Sequence, residues 1–92
     1  KAAVINFTHA LALELAPYGI RVNSVSPAFA ETPLTEWSLT NEKFVQSIKR
    51  NTALGRVGTS EEIAKVIAFA ASSDASYMTG SDLLVDGGWM IT

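Results

Sequence analysis

Residues 17–34, PYGIRVNSVSPAFAETPL, constrain the fold more than any other stretch of this chain. Pro17 and Gly19 end a helix, because Pro cannot continue the backbone ladder and Gly accepts the conformations that stop it. A short β-branched run follows over residues 20–26, with Ile20, Val22 and Val25 separated by Arg21, Asn23 and Ser24, and reads as a strand. Pro27 stops that strand, since it has no N–H to give to a ladder. The chain then runs through small residues to a Thr. Helix, strand and loop in that order build an α/β fold, and open parallel sheets bind ligands beyond the carboxyl ends of their strands. The candidate ligand loop is therefore residues 27–32.

The remaining elements fit the same class. Residues 2–16, AAVINFTHALALELA, form a helix rich in Ala and Leu with no internal Gly or Pro. Its stripe of Val4, Phe7, Leu11 and Leu15 is widened by Ile5, Ala12 and Ala16, so the helix is expected to be mostly buried. Residues 28–39 read as a loop carrying Leu34, Trp37 and Leu39. Thr40 is placed to cap a helix over 41–50, with Phe44, Val45 and Ile48 facing inward. Residues 54–58 are a turn-rich link. Thr59-Ser60-Glu61-Glu62 is a capping box, Thr at the cap and Glu three residues on. It opens a helix near 60–72, with Ile63, Val66, Ile67, Ala70 and Ala71 on one face. Residues 83–85 read as a second strand, stopped by Asp86-Gly87-Gly88. Two strands with helix between them are expected to pair in parallel through a right-handed crossover.

Composition narrows what surrounds these elements. A chain of 92 residues makes at most one domain, yet 48% of it is hydrophobic and the apolar residues are not confined to one face. Two strands alone make a poor sheet, so part of the cover is expected outside this chain. The chain opens on Lys1 already in a helix, and is expected to be the C-terminal part of something longer. A net charge of −2 argues against nucleic acid or an anionic membrane as partner, because phosphate binding needs a basic surplus. The absence of Cys excludes disulfides, thiolate zinc clusters and a thiol nucleophile, and fits a reducing, cytoplasmic setting; no metal site is read. No apolar run approaches the ~20 residues that span a bilayer, and no leader pattern is present.

Taken alone, the candidate residues also have plain structural readings. Lys1 is then a solvated lysine, residues 27–32 an ordinary strand exit, and Leu34, Trp37 and Leu39 pins that hold a loop to the core. His9 reads as a surface or interface residue, and Arg21 and Asn23 as structural groups bonded to neighbouring backbone.

The run KAAVINFTHALALELAPYGIRVNSVSPAFAETPL and the tail YMTGSDLLVDGGW resemble the C-terminal third of short-chain dehydrogenases/reductases, over residues 1–89. The resemblance implies a doubly wound parallel sheet of the Rossmann type that binds NAD or NADP. Residues 1–92 would form the C-terminal portion of that single domain, with a substrate-lid region over 28–55. Lys1 stands where the family has the Lys of Tyr-x-x-x-Lys. There it would hydrogen-bond the nicotinamide ribose and act as a catalytic partner of the Tyr, since a nearby ammonium favours the phenolate. Pro27, Ala28, Ala30 and Thr32 stand where the family has Pro-Gly-x-(Ile/Val)-x-Thr. Ala30 through its backbone and Thr32 through its hydroxyl would hold the nicotinamide carboxamide. Ala28 replaces the family's Gly; were its φ positive, the strain would be about 1 kcal/mol. Leu34, Trp37 and Leu39 fall in the family's variable lid and imply a substrate with apolar bulk.

The implied activity is hydride transfer between the nicotinamide cofactor and a small carbonyl compound or secondary alcohol. The implied assembly is a homo-oligomer, dimer or tetramer, in which the helix opened by Lys1 packs at a subunit interface. The alternative is a catalytically inactive fragment that serves only packing or assembly, because the Gly-rich loop and the upstream Ser and Tyr are not in this sequence.

Overall fold

The computed structural model describes residues 2–28, 30–31 and 40–91. Three α-helices are present among them: α1 (Ala2–Leu15), α2 (Glu42–Asn51) and α3 (Ser60–Ala71). The strands are β1 (Ser24–Pro27), β2 (Ala30–Glu31), β3 (Gly58–Thr59) and β4 (Asp82–Val85). Short 3-10 turns occupy Ala16–Tyr18, Ser73–Ala75 and Trp89–Ile91. β1 neighbours β4 in one two-stranded sheet, and β2 neighbours β3 in another. Gly80 N–H donates to Val22 O at 2.7 Å and Ser24 N–H to Ser81 O at 2.9 Å, so the numbering rises along both chains and the first pair is parallel. β2 and β3 are also parallel, with Ala30 opposite Gly58 and Glu31 opposite Thr59.

The chain groups into two compact units, one made by the residues up to Ser26 with Val66–Leu84, the other by residues 27–65 with the chain from Val85. In the first unit α1 ends as its sequence implies. Pro17 lies in a 3-10 turn, and Gly19, at φ 72°, donates its N–H to Ala16 O. The helix is not mostly buried as expected, however, and its buried line shares only Ala12 with the expected face. Thr8 and Ala12 are buried, whereas Val4, Phe7 and Leu13 are 59%, 64% and 80% exposed. Thr8 can be buried because its hydroxyl donates to Val4 O at 2.8 Å. At Ala12 the small side chain permits close approach: a Cβ on Gly80 would sit 3.5 Å from that of Ala12.

The strand read over 20–26 is shorter than expected and starts at Ser24. Residues 21–23 instead use their side chains to tie distant backbone. The Arg21 guanidinium donates to Ala70 O at 3.0 Å, Ser72 O at 3.0 Å and Met78 O at 3.3 Å. These carbonyls lie at and beyond the C-terminal end of α3, where carbonyls lack intrahelical donors. Asn23 donates to Met78 O at 3.0 Å and accepts from Ser81 N–H at 3.1 Å. Both residues bond backbone, but not the neighbouring backbone expected: their partners lie more than fifty residues away for most of these contacts. Ser24 and Ser26, on one face of β1, are buried and both donate to Asp82 Oδ1 at 2.7 Å.

In the second unit α2 is capped by Asn41 rather than Thr40: its side-chain oxygen accepts from Lys43 and Phe44 N–H. Ile48 is its buried anchor, 1% exposed, with Phe44 and Val45 half-buried. The capping box of α3 forms as read. Glu62 N–H donates to the Thr59 hydroxyl at 3.1 Å, and Glu62 Oε1 accepts from Thr59 N–H at 3.0 Å. β4 ends in the expected turn, where Asp86 Oδ1 accepts from Gly88 N–H at 3.0 Å. Gly88 has no room for a side chain, because a Cβ there would lie 2.5 Å from that of Ala53.

Candidate functional site

The candidate site is the chain that leaves β1. Pro27 closes the strand and is exposed, and Ala28 follows half-buried. Among the described residues every positive φ belongs to a glycine, so Ala28 carries no left-handed strain. The strain raised for an Ala in place of Gly is therefore not incurred. Ala30 is half-buried and lies in β2, opposite Gly58. Of the residues expected to form the site, the structure thus describes Pro27, Ala28 and Ala30 in one short segment. Lys1, Thr32, Leu34, Trp37 and Leu39 lie outside the described residues.

Small side chains suit this segment to a flat ligand. A methyl group at Ala28 and Ala30 keeps the backbone amides within reach of a ring laid against them, as a branched or aromatic side chain would not. Ala28, just past the carboxyl end of β1, and Ala30, in β2, are both half-buried, and neither adds charge or bulk that would exclude a flat amide-bearing ring.

The pairing that holds this segment was not apparent from the sequence. Two-residue strands have no periodicity to detect. Behind β3 lies a cluster that sequence reading caught only in part. Arg56 makes a two-pronged ion pair with Glu62, Nη1 to Oε1 and Nη2 to Oε2, both at 2.8 Å. Glu62 Oε1 also accepts from the Thr59 hydroxyl at 3.2 Å. The hydrogen bonds from Arg56 and then from the Thr59 backbone hold the Glu62 carboxyl down to about 2, and Glu62 in turn raises Arg56. The signal for the capping box was present in T-S-E-E, but the Arg three residues before it was the part that completes the cluster.

Ile48, Thr52, Arg56, Ile63 and Asp86 line a cavity of about 90 Å³ in this unit. Ligand pockets run to roughly 300 Å³ or more, so this cavity is a packing gap and not a dinucleotide site. In the first unit a shallower groove of about 510 Å³ runs past Arg21, Asn23 and Val25, but Arg21 there is engaged by three carbonyls. No cluster of His, Asp and Glu among the described residues could hold a metal ion. No helix among them is long and apolar enough to cross a membrane.

The family described as enoyl-(acyl carrier protein) reductase matches residues 1–90. An uncharacterized short-chain type dehydrogenase/reductase of Sinorhizobium fredii is 45% identical over 91 residues, which is 98% of this chain and 17% of that protein. The solved structure of 4-hydroxyisoleucine dehydrogenase complexed with NADH is 36% identical, with a TM-score of 0.94 over 99% of this chain and 37% of that one. A solved structure from Agrobacterium tumefaciens with bound NADP is 38% identical, with a TM-score of 0.91 over 97% of this chain and 36% of that one. The chain thus spans little more than a third, or less, of the relatives it matches. Matched along nearly its whole length, and with the strand, capping and turn geometry just described, the chain belongs to the short-chain dehydrogenase/reductase family and forms a portion of its Rossmann-type parallel α/β fold.

Proposed function

We propose that the protein containing these residues is an NAD- or NADP-dependent oxidoreductase. It would transfer a hydride between the nicotinamide and the carbonyl or secondary-alcohol carbon of a small molecule. The observation that carries this reading is the handover from β1 at Pro27 to the small residues Ala28 and Ala30, with the latter held in a parallel pair against Gly58. That the similar solved structures hold NADH and NADP supports the cofactor class.

When bound, the nicotinamide supplies or accepts the hydride; the protein supplies position and polarisation. Pro27 and Ala28 form the wall against the ring, and the Ala30 backbone and the Thr32 hydroxyl hold its carboxamide. Lys1 places its ammonium near the cofactor ribose and favours the ionised form of an acid/base phenol, which moves the substrate hydroxyl proton. Leu34, Trp37 and Leu39, within a lid region over 28–55, exclude water from an apolar part of the substrate. The protein acts in the cytoplasm as a dimer or tetramer, and the exposed Val4, Phe7 and Leu13 of α1 favour such an assembly. The same exposed side chains favour the second reading, an inactive piece that serves assembly alone.

The test is consumption or formation of reduced nicotinamide by the full-length protein with a panel of carbonyl compounds and secondary alcohols. Turnover with NADH or NADPH is expected, and Lys1→Met should cut it heavily while circular dichroism stays unchanged. A folded protein that binds neither cofactor would overturn the oxidoreductase reading and leave the assembly reading. Full turnover in Lys1→Met would remove Lys1 from the chemistry.

A further inference from the structure

We propose that Arg56 and Glu62 are positioning residues for the cofactor-facing backbone at Ala30, acting through β3. The inference rests on the reading of residues 27–32 as the nicotinamide wall. The chain of contacts lies within one compact unit. Ala30 and Glu31 form a strand of only two residues, paired with only two others, Gly58 and Thr59. So short a pair has almost no ladder of its own and takes its position from whatever fixes β3. Thr59 is fixed from one side: its N–H and hydroxyl both meet Glu62 Oε1. Glu62 is in turn fixed by both prongs of Arg56, whose Nη1 also donates to Val57 O at 3.2 Å, the residue before β3. A planar guanidinium gripping a carboxylate at two points sets orientation as well as distance, which a single-point contact does not.

The pair therefore does more than cap α3. A capping box needs only Thr59 and an acceptor at position 62, and a neutral Gln serves that purpose. The added Arg56 closes a ring through Val57, Thr59 and Glu62 at β3, the strand against which Ala30 is paired. Loss of the ring should loosen the Ala30 backbone without unfolding α3, and so weaken cofactor binding more than the chemical step.

The experiment uses the full-length protein and the variants Arg56→Gln, Glu62→Gln and Arg56→Lys, with thermal unfolding to confirm that each is folded. Hydrogen exchange is read on peptides containing Ala30 and Glu31, and NADH and NADPH dissociation constants are read by nucleotide fluorescence. Exposed ion pairs are modest, so Arg56→Gln and Glu62→Gln should each speed exchange and raise the dissociation constant by about two- to five-fold, with kcat nearly unchanged. Arg56→Lys, which keeps the charge but loses the fork, should fall between these variants and the parent. Unchanged exchange at Ala30 and Glu31 in both Gln variants overturns the proposal. So does faster exchange with unchanged affinity in a protein that binds cofactor. If the parent binds neither nucleotide, the oxidoreductase reading fails, and the exchange data alone then decide whether the pair holds β2.

Discussion

Two arginines hold the two compact units of this chain in opposite ways. Arg21, half-buried, gives its guanidinium to three backbone carbonyls at Ala70, Ser72 and Met78. Arg56, with its side chain 52% exposed, gives its guanidinium to one carboxylate, itself 44% exposed. The first arrangement satisfies carbonyls at a helix end and contains no opposing charge, so salt has little to screen. The second is an ion pair open to water, which salt and acid both weaken. The first unit is therefore held by neutral acceptors and by the buried pair of serines on Asp82, and the second by an ion pair, side-chain caps and a glycine turn.

The sharpest test of that contrast is Arg21→Ala. It leaves three part-buried carbonyls without their donor, and the expected loss is about 3 kcal/mol in chemical unfolding, independent of salt. A loss that shrinks with added salt would place Arg21 in the same class as Arg56. Gly88→Ala comes next. Its Cβ would lie 2.5 Å from the Ala53 Cβ, and its φ of 87° disfavours any side chain. About 2 kcal/mol of destabilisation is expected, with local hydrogen exchange near residues 53 and 88 faster; a neutral outcome would mean that this turn can shift.

Thr59→Ala removes the α3 cap and should cost about 1 kcal/mol, read as lower helicity and a lower melting temperature. The smallest effect is that of acid and salt on Glu62. Its folded carboxyl sits at about 2, below the roughly 4.3 of an unfolded Glu. Its contribution is therefore complete above about 4.3 and is lost as the pH falls toward about 2. Solvent exposure keeps this contribution small. A titration of the Glu62 carboxyl by NMR checks it, and an ordinary carboxylate midpoint would mean that the fork to Arg56 does not persist in solution.

The legible parts of the fold were those decided within one turn of chain. Pro17 and Gly19 end α1, T-S-E-E starts α3, and Asp86-Gly87-Gly88 turns the chain after β4, all as read. The misreadings were also local and instructive. Thr40 and Asn41 are both good caps, and only the geometry of the first turn selects Asn41. The alternation over 20–26 looked like strand, but Arg21 and Asn23 direct their side chains to distant carbonyls and the strand proper begins at Ser24. For the candidate site, resemblance singled out Pro27, Ala28 and Ala30, and the structure sets them in one short segment. The β2–β3 pair that carries Ala30 was not legible, because two residues have no pattern.

The sequence by itself determined the main helices and strands, the stop of α1, the cap of α3, the turn after β4, and the family to which the chain belongs. Those depend on backbone chemistry and on side chains within about four residues of one another. Only the tertiary structure decided that Thr8 joins the expected Ala12 in the buried line of α1 while Val4 and Phe7 stay exposed. It alone also assigned Arg21 its carbonyls and Ala30 its partner strand. Such contacts join residues 28 to 57 positions apart, where no local window carries the signal and packing must choose among many compatible partners.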